Sequence, residues 1–248
     1  MTLYLDVGNT ALKWRLYDEA GVPAQGDAVH QRDWAEVVRQ LRALGSPSCI
    51  EVASVAGVEA DVHLAELLQA SFSVSPRFYY SQQADAGVVN GYAEPSRLGV
   101  DRWLAVIETW HRSGASIVVD CGSALTLDAV TAQGRHTGGY IVPGLSMMLR
   151  SLVSGTGSIR LPDRDVATDM SPGCSTAEGV LNGILRMSVA FIADSVVALR
   201  EGVKDTCPVY LTGGDAGRIL PHLPFSAELA PDLVLDGLER VTRGSSRE

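Results

Sequence analysis

Two short turns constrain this chain more than any other feature. Asp6-Val7-Gly8-Asn9-Thr10 and Asp120-Cys121-Gly122-Ser123-Ala124 share an Asp-x-Gly core and stand about half a chain apart. Each closes a short apolar strand, Leu3-Tyr4-Leu5 in one case and Ile117-Val118-Val119 in the other. Each also opens a second strand that runs to a glycine, Gly21 or Gly134. Matching settings predict a duplicated fold with a cleft between the halves, where two small polar turns grip a polyphosphate from both sides. That points to an ATP-using enzyme.

Composition narrows the partners. The chain has 248 residues, 46% of them hydrophobic, enough for one large domain or two small ones with real cores. Its net charge is −9, from 29 acidic and 20 basic residues, with no Lys/Arg cluster, which argues against a nucleic-acid surface. An acidic protein still binds ATP, because backbone amides and Mg²⁺ hold phosphates without a basic surface. Cys49, Cys121, Cys174 and Cys207 are scattered, with no Cys-x-x-Cys pair or Cys/His cluster, so zinc and a disulfide framework are poor fits. The N-terminus lacks a basic start and a signal-peptide core, and no apolar run approaches membrane-spanning length. A soluble cytoplasmic protein with no membrane partner is expected.

Periodicity predicts the elements. Residues 2–7 read as a buried strand, and 11–17 alternate Leu12, Trp14 and Leu16 with Lys13, Arg15 and Tyr17. Asp33 caps a helix with the stripe Trp34, Val37, Val38, Leu41 and Leu44. A strand over 49–55, a helix carrying Val62, Leu64, Ala65, Leu67 and Leu68, and a short strand near 78–80 follow. Residues 85–98 read as loop and 100–111 as helix. Strands over 116–120, 124–130 and 136–142 open the second half. A helix over 147–154, a polar irregular stretch over 155–173, a long helix over 176–200 and a strand over 209–212 complete it. Ser175 and Glu178 form a capping box, and 242–248 reads as a frayed tail. No linker separates the halves, so domains of 1–114 and 115–248 would meet directly near Gly114. The fold class is α/β with mixed sheets flanked by helices.

The first turn has the parts for a nucleotide. Gly8 permits close backbone approach, Asn9 and Thr10 offer short donors, and Lys13 can point toward phosphates. Asp6, at the end of its strand, can hold Mg²⁺ directly or through water. The bland alternative is a hairpin with Asp and Asn as turn formers. In the second turn Asp120, Gly122, Ser123 and Thr126 repeat the logic with hydroxyls, and Asp128 adds a carboxylate. Polar-tipped hairpins remain the alternative there, weakened by the repetition and by the Gly213-Gly214-Asp215 turn. Cys121 reads as a small buried hydrophobe. The histidines have no triad or metal spacing and are assigned no chemistry.

With these residues in place, the chain resembles the type III pantothenate kinases of the acetate and sugar kinase/Hsp70/actin superfamily. The resemblance covers nearly the whole chain. It rests on 6–13, Asn90-Gly91-Tyr92, 99–103, 120–128, 138–144, Thr176-Ala177-Glu178 and 211–215 in order and spacing. It implies two ribonuclease-H-like halves with an ATP cleft between them, a homodimer, and ATP-dependent phosphorylation of the primary hydroxyl of pantothenate, the first step of coenzyme A synthesis. It implies Mg²⁺ with ATP and a monovalent cation, K⁺ or NH₄⁺. By motif match, Asp6, Val7, Gly8, Asn9, Thr10, Ala11, Leu12, Lys13 and Ser123 would bind ATP, and Asp120 would be the cation ligand. Tyr92, Gly99, Val100, Asp101, Arg102 and Thr176 would contact pantothenate, with Asp101 as catalytic base. Ser123 stands where the family usually has threonine and keeps the hydroxyl. Residues 154–162 match the family only loosely.

The chemistry suits these side chains. Arg102 offers a planar fork to a carboxylate, although a surface arginine would look the same. Asp101 can accept the hydroxyl proton or orient the oxygen for in-line attack, or merely place charge in a first helical turn. Tyr92 closes over a substrate or is a loop aromatic. Thr176 donates to pantothenate or caps its helix. Another kinase or phosphatase of the same superfamily, or a transcription accessory factor, would share the turns.

Overall fold

A computed structural model gives the fold and describes residues 1–30, 33–157, 159, 169–203 and 206–245. The first strand, β1 (Thr2–Val7), folds back through Gly8 into β2 (Ala11–Tyr17), and β3 (Pro23–Val29) completes an antiparallel meander. Strand alternation sorts the faces. Leu3, Leu5, Val7, Leu12 and Leu16 enter a core, with Leu5, Val7 and Leu12 fully buried. Burial of each such side chain contributes about 2 kcal/mol.

Helix α1 (Trp34–Arg42) starts at Asp33, whose carboxylate accepts from the Glu36 N–H at 3.1 Å. It brings Trp34, Val37, Val38 and Leu41 to the same core. Leu44 lies past the helix end and is exposed. Strand β4 (Cys49–Ser54) runs parallel to β1, helix α2 (Val58–Phe72) adds Leu64 and Leu68, and β5 (Arg77–Tyr79) runs parallel to β4. Val62, expected on the apolar stripe of α2, is exposed. The sheet order is β3-β2-β1-β4-β5.

The expected loop over 85–98 holds a minimal hairpin, β6 (Ala84–Asp85) with β7 (Val88–Val89), and a 3₁₀ turn at Pro95–Arg97. Pieces this short leave no periodic trace. Helix α3 (Val100–Ser113) follows.

The second sheet repeats the plan. Strands β8 (Ser116–Cys121), β9 (Ala124–Val130) and β10 (His136–Pro143) form a meander. Helix α4 (Leu145–Gly155) and the 28-residue α5 (Thr176–Val203) precede β11 (Val209–Thr212), the short α6 (Ala216–Ile219) and β12 (Glu228–Leu229). Strand β11 is parallel to β8 and β12 to β11, which gives the order β10-β9-β8-β11-β12. Each sheet is therefore a three-stranded meander with two parallel strands added beside its first strand.

By length and composition α5 could cross a membrane, contrary to the expectation that no apolar stretch is long enough. Its face of Ile184, Leu185, Val189, Ile192 and Val196 is instead buried in the second core with Val119, Leu125, Leu127 and Leu211. Most of the expected irregular stretch over 155–173 lies outside the described residues.

Helix α7 (Leu233–Ser245) ends the described chain where the sequence suggested fraying from 242. Val241 and Thr242 are buried. Gly237, within α7, meets the Leu104 main chain so closely that a Cβ would strike the Leu104 carbonyl oxygen. That glycine weakens the helix signal and permits the contact. The chain divides into two compact units, 1–108 with 232–248 and 109–231, so α7 belongs to the first. Its tie is ionic as well as apolar. Arg15 on β2 is buried and donates to Asp236 at 2.7 Å and Glu239 at 2.5 Å, and the Tyr17 hydroxyl donates to Glu239 at 2.8 Å.

Candidate functional site

The first turn is built by its own ends. Val7 and Leu12 pair across the β1–β2 ladder and are fully buried, which leaves Gly8, Asn9 and Thr10 as the turn beyond the sheet. The Gly8 N–H donates to the Ala11 carbonyl at 3.0 Å. Asn9 and Thr10 are exposed at the tip. Asp6 and Lys13 pair one step further in, both half-buried, on the face opposite the core. Strand alternation therefore gives a carboxylate and an ammonium on one face beneath a polar tip. Val7 and Leu12, expected among nucleotide-binding residues, commit their side chains to the core and offer a ligand only backbone.

His30, assigned no chemistry from sequence, braces this turn. Its Nε2–H donates to the Gly8 carbonyl at 3.0 Å, and its backbone N–H donates to the Thr10 carbonyl at 3.2 Å. The ring is buried and stacks on Trp34 at 4.2 Å between centroids. These partners are main-chain atoms 20 or more positions earlier, which residue spacing does not reveal.

In the second unit Asp120 pairs with Thr126 at the step where Asp6 pairs with Lys13 in the first. The Gly122 N–H donates to the Ala124 carbonyl at 3.1 Å. Ser123 is half-buried in this turn. Gly213 follows β11 with φ +88°, and a Cβ there would strike both Asp120 Oδ1 and the Cys121 main chain. Only glycine satisfies the left-handed backbone and the close approach together. The Asp215 N–H then donates to the Cys121 carbonyl at 2.9 Å. Burial, with added repulsion from Asp120 and Asp215, pushes the Cys121 thiol up to about 12. Cys121 is thus an inert core residue, as its sequence context suggested.

Asp128, counted with the second turn from sequence, is turned inward. It is buried and bonded to the equally buried His136 at 2.8 Å. Among the described residues no three His, Cys, Asp or Glu side chains cluster as a metal site. The donors at Asp6 and Asp120 are single carboxylates beside glycine turns. Each carboxylate by itself fits a cation taking its remaining ligands from phosphate, water or backbone oxygen.

A third group surrounds the start of α3. Buried Asn90 accepts the Tyr92 N–H at 2.9 Å and donates to the Gln82 carbonyl at 3.1 Å, which shapes the approach to Tyr92. Arg102, also buried, donates from Nη1 to the Tyr92 hydroxyl at 2.8 Å. Asp101 is half-buried, and its Oδ1 accepts the Arg102 N–H at 2.7 Å. Val100 is buried and contributes backbone alone. A methyl group on Gly99 would meet Asp101 Oδ1 at 2.5 Å and Val55 Cγ1 at 3.8 Å. The Val55 N–H in turn donates to the Val7 carbonyl at 2.9 Å. Asp101 therefore lies at the carboxyl end of the β1–β4 pair, the edge from which the first turn projects. That end of an α/β sheet is the usual place for ligands.

Thr176, the first residue of α5, is exposed. The helix cap falls to its neighbours. Ser175 Oγ accepts the Glu178 N–H at 3.2 Å, and Glu178 accepts the Cys174 N–H at 2.8 Å. The Thr176 hydroxyl is not used in that cap.

Two sheets of one order, each with an Asp-x-Gly turn after its first strand, define a duplicated α/β fold of mixed sheets flanked by helices. Solved structures agree. A protein described as a Baf family transcriptional activator from Campylobacter jejuni matches with a TM-score of 0.63 at 19% identity, over 99% of this chain and 100% of that one. One described as a 2-dehydro-3-deoxygalactonokinase from Sinorhizobium meliloti matches with a TM-score of 0.59 at 13% identity, over 99% of each chain. At such identities the likeness concerns the fold alone. Sequence is more specific. The type III pantothenate kinase family model matches residues 2–198, and a type III pantothenate kinase from Alcanivorax borkumensis is 51% identical over 97% of this chain and 98% of its own. The chain belongs to the type III pantothenate kinase family.

Proposed function

We propose that this protein transfers the γ-phosphoryl group of ATP to the primary hydroxyl of pantothenate, the first step of coenzyme A synthesis. Family membership supports the reaction. The observation that carries the site is the adjacency of Asp101, Gly99 and Val55 with the Val55–Val7 hydrogen bond, which sets a carboxylate at the edge bearing the Asp6–Lys13 turn.

In this reading the backbone of 6–13 and the Lys13 ammonium bind the ATP phosphates, and Ser123 contacts the nucleotide. Asp6 would hold Mg²⁺, whose role is to offset charge on the transferring phosphoryl group. Asp120 would ligate K⁺ or NH₄⁺, since a single carboxylate against the Gly122 and Gly213 backbone suits one positive charge. Tyr92, the Gly99 and Val100 backbone, Arg102 and Thr176 would receive pantothenate, with the Arg102 fork meeting its carboxylate. Asp101 orients the hydroxyl and takes its proton as the new O–P bond forms and the bond to ADP breaks. Positioning supplies most of the rate in such a loose transition state.

The protein would act as a homodimer. Exposed Tyr140 and Ile141 on edge strand β10, with Met147, Leu152 and Val153 on α4, give apolar surface that a second copy can cover. Four unpaired cysteines suit the reducing cytoplasm. ADP release measured with pantothenate beside a panel of sugars, carboxylates and other alcohols tests the reading. Turnover confined to pantothenate is expected. Turnover with another acceptor and none with pantothenate would overturn the substrate assignment.

A further inference from the structure

We infer that His30 is a positioning residue for the nucleotide: it holds the Gly8–Thr10 turn in a fixed shape and couples it to helix α1. The inference rests on the proposal that this turn binds ATP phosphates. Four contacts converge on the one residue. The imidazole Nε2–H donates to the Gly8 carbonyl and the backbone N–H donates to the Thr10 carbonyl, so both ends of the turn are held. The His30 carbonyl accepts the Asp33 N–H at 2.5 Å, beside the cap of α1. The ring stacks on Trp34, the first residue of that helix.

The chemistry of these contacts sets the role. A carbonyl only accepts, so the Nε2 facing Gly8 carries a hydrogen. The bond orients the Gly8 carbonyl toward the protein. It fixes one of the peptide planes whose amides would face a phosphate. Asn9 and Thr10 are exposed at the tip, and the Gly8–Ala11 hydrogen bond braces the turn from within. A turn that samples several shapes must lose that freedom on binding ATP, which weakens the complex. By ordering the turn beforehand, His30 acts on nucleotide affinity and leaves acceptor binding untouched.

Two substitutions separate the hydrogen bond from the packing. His30→Phe keeps the ring against Trp34 and removes the donor. His30→Gln places an amide donor near the position of Nε2 and gives up the stack. The expected result for His30→Phe is a KM for ATP raised roughly three- to tenfold, as loss of one hydrogen bond predicts, with KM for pantothenate unchanged. His30→Gln should recover most of the ATP affinity even if its melting temperature falls. Hydrogen exchange of the peptide spanning residues 6–13 in the nucleotide-free protein should be faster in His30→Phe than in wild type. Unchanged exchange would overturn the inference, as would equal impairment of ATP binding in the Gln and Phe variants. Faster exchange with an unaltered KM for ATP would instead overturn the phosphate-binding assignment of the turn and leave the brace intact.

Discussion

Arg102 reaches from the first turn of α3 to the hydroxyl of Tyr92, 2.8 Å away, and its guanidinium carbon lies 5.7 Å from the centre of the same ring. One aromatic side chain thus holds a buried cation in place before any substrate arrives. Arg102→Lys should raise KM for pantothenate about tenfold or more, because an ammonium cannot reproduce the two-point fork. Tyr92→Phe should cost less, since the ring remains under the guanidinium. Steady-state kinetics at saturating ATP would measure both. Equal KM values in wild type and Arg102→Lys would remove Arg102 from the pocket.

Asp101 governs a different quantity. Its carboxylate sits beside Gly99, which in turn neighbours Val55 just past β4. Asp101→Asn keeps the shape and removes the proton acceptor. Turnover should fall about a hundredfold or more, the usual range for a lost general base. ATP affinity, measured by calorimetry without turnover, should stay within about twofold of wild type. A normal kcat in the variant would assign the carboxylate to helix structure alone.

The Asp120 turn predicts a salt dependence. With one carboxylate against glycine backbone, the wild-type enzyme should be active in K⁺ or NH₄⁺ and weakly active in Na⁺ alone. Asp120→Asn should abolish that discrimination along with most of the activity. Equal rates of the wild-type enzyme in all three salts at matched ionic strength would rule out a cation site there.

Much of this architecture is legible in the sequence because the first strand of each unit is a short apolar run that ends in an Asp-x-Gly turn. Ala11–Tyr17 appears where period-two alternation put it, and Thr2–Val7 and Ala124–Val130 appear where strands were expected. Strand β3 escaped notice because Pro-Ala-Gln-Gly-Asp-Ala-Val is an exposed edge strand with no buried face to pattern it. Helix α7 escaped because Gly237 interrupts it, although the Leu104 main chain requires that glycine. The site divides the same way. Asp6, Lys13, Asp101 and Arg102 belong to local motifs. His30 acts on main-chain atoms of another segment, and His136 pairs with a carboxylate on the neighbouring strand. Such partners exist only once the chain is folded.

Arg15 tests the tie between α7 and the first sheet. Burial disfavours its charge, yet hydrogen bonds to Glu239 and Asp236 outweigh that and raise its pKa above the ordinary arginine value. A raised folded-state value means the contribution is fully present below the unfolded arginine range and is lost only as pH rises past it. Arg15 should therefore give no pH dependence to stability between about pH 5 and 10. Arg15→Met removes the buried cation shared by Glu239 and Asp236 and leaves Glu239 only Tyr17 and the exposed Arg243, and the cost should be about 3 kcal/mol in a urea titration. Adding Glu239→Gln should recover part of that loss. A loss below about 1 kcal/mol would demote the cluster to a surface ion pair.

The cysteines give the last prediction. Cys174 is exposed, Cys49 is half-buried, and Cys121 and Cys207 are buried. Burial pushes the Cys49 thiol up, with further upward pressure from Glu51, and burial likewise raises Cys207. Cys121 is pushed furthest, up to about 12. Thiolate is the reactive form, so a disulfide reagent at about pH 8 should modify one thiol quickly in the native protein and the rest after denaturation. Cys174→Ser should abolish the fast phase. The raised Cys121 value also sets a sign for stability. The unfolded thiol ionises near the ordinary cysteine pKa while the folded one stays protonated, so this thiol's contribution to stability is constant below about pH 8.5 and falls as pH climbs toward 12. Cys121→Ala should flatten that alkaline decline. Rapid native modification of Cys121, located by peptide mapping, would contradict both its burial and the closed packing of the second turn.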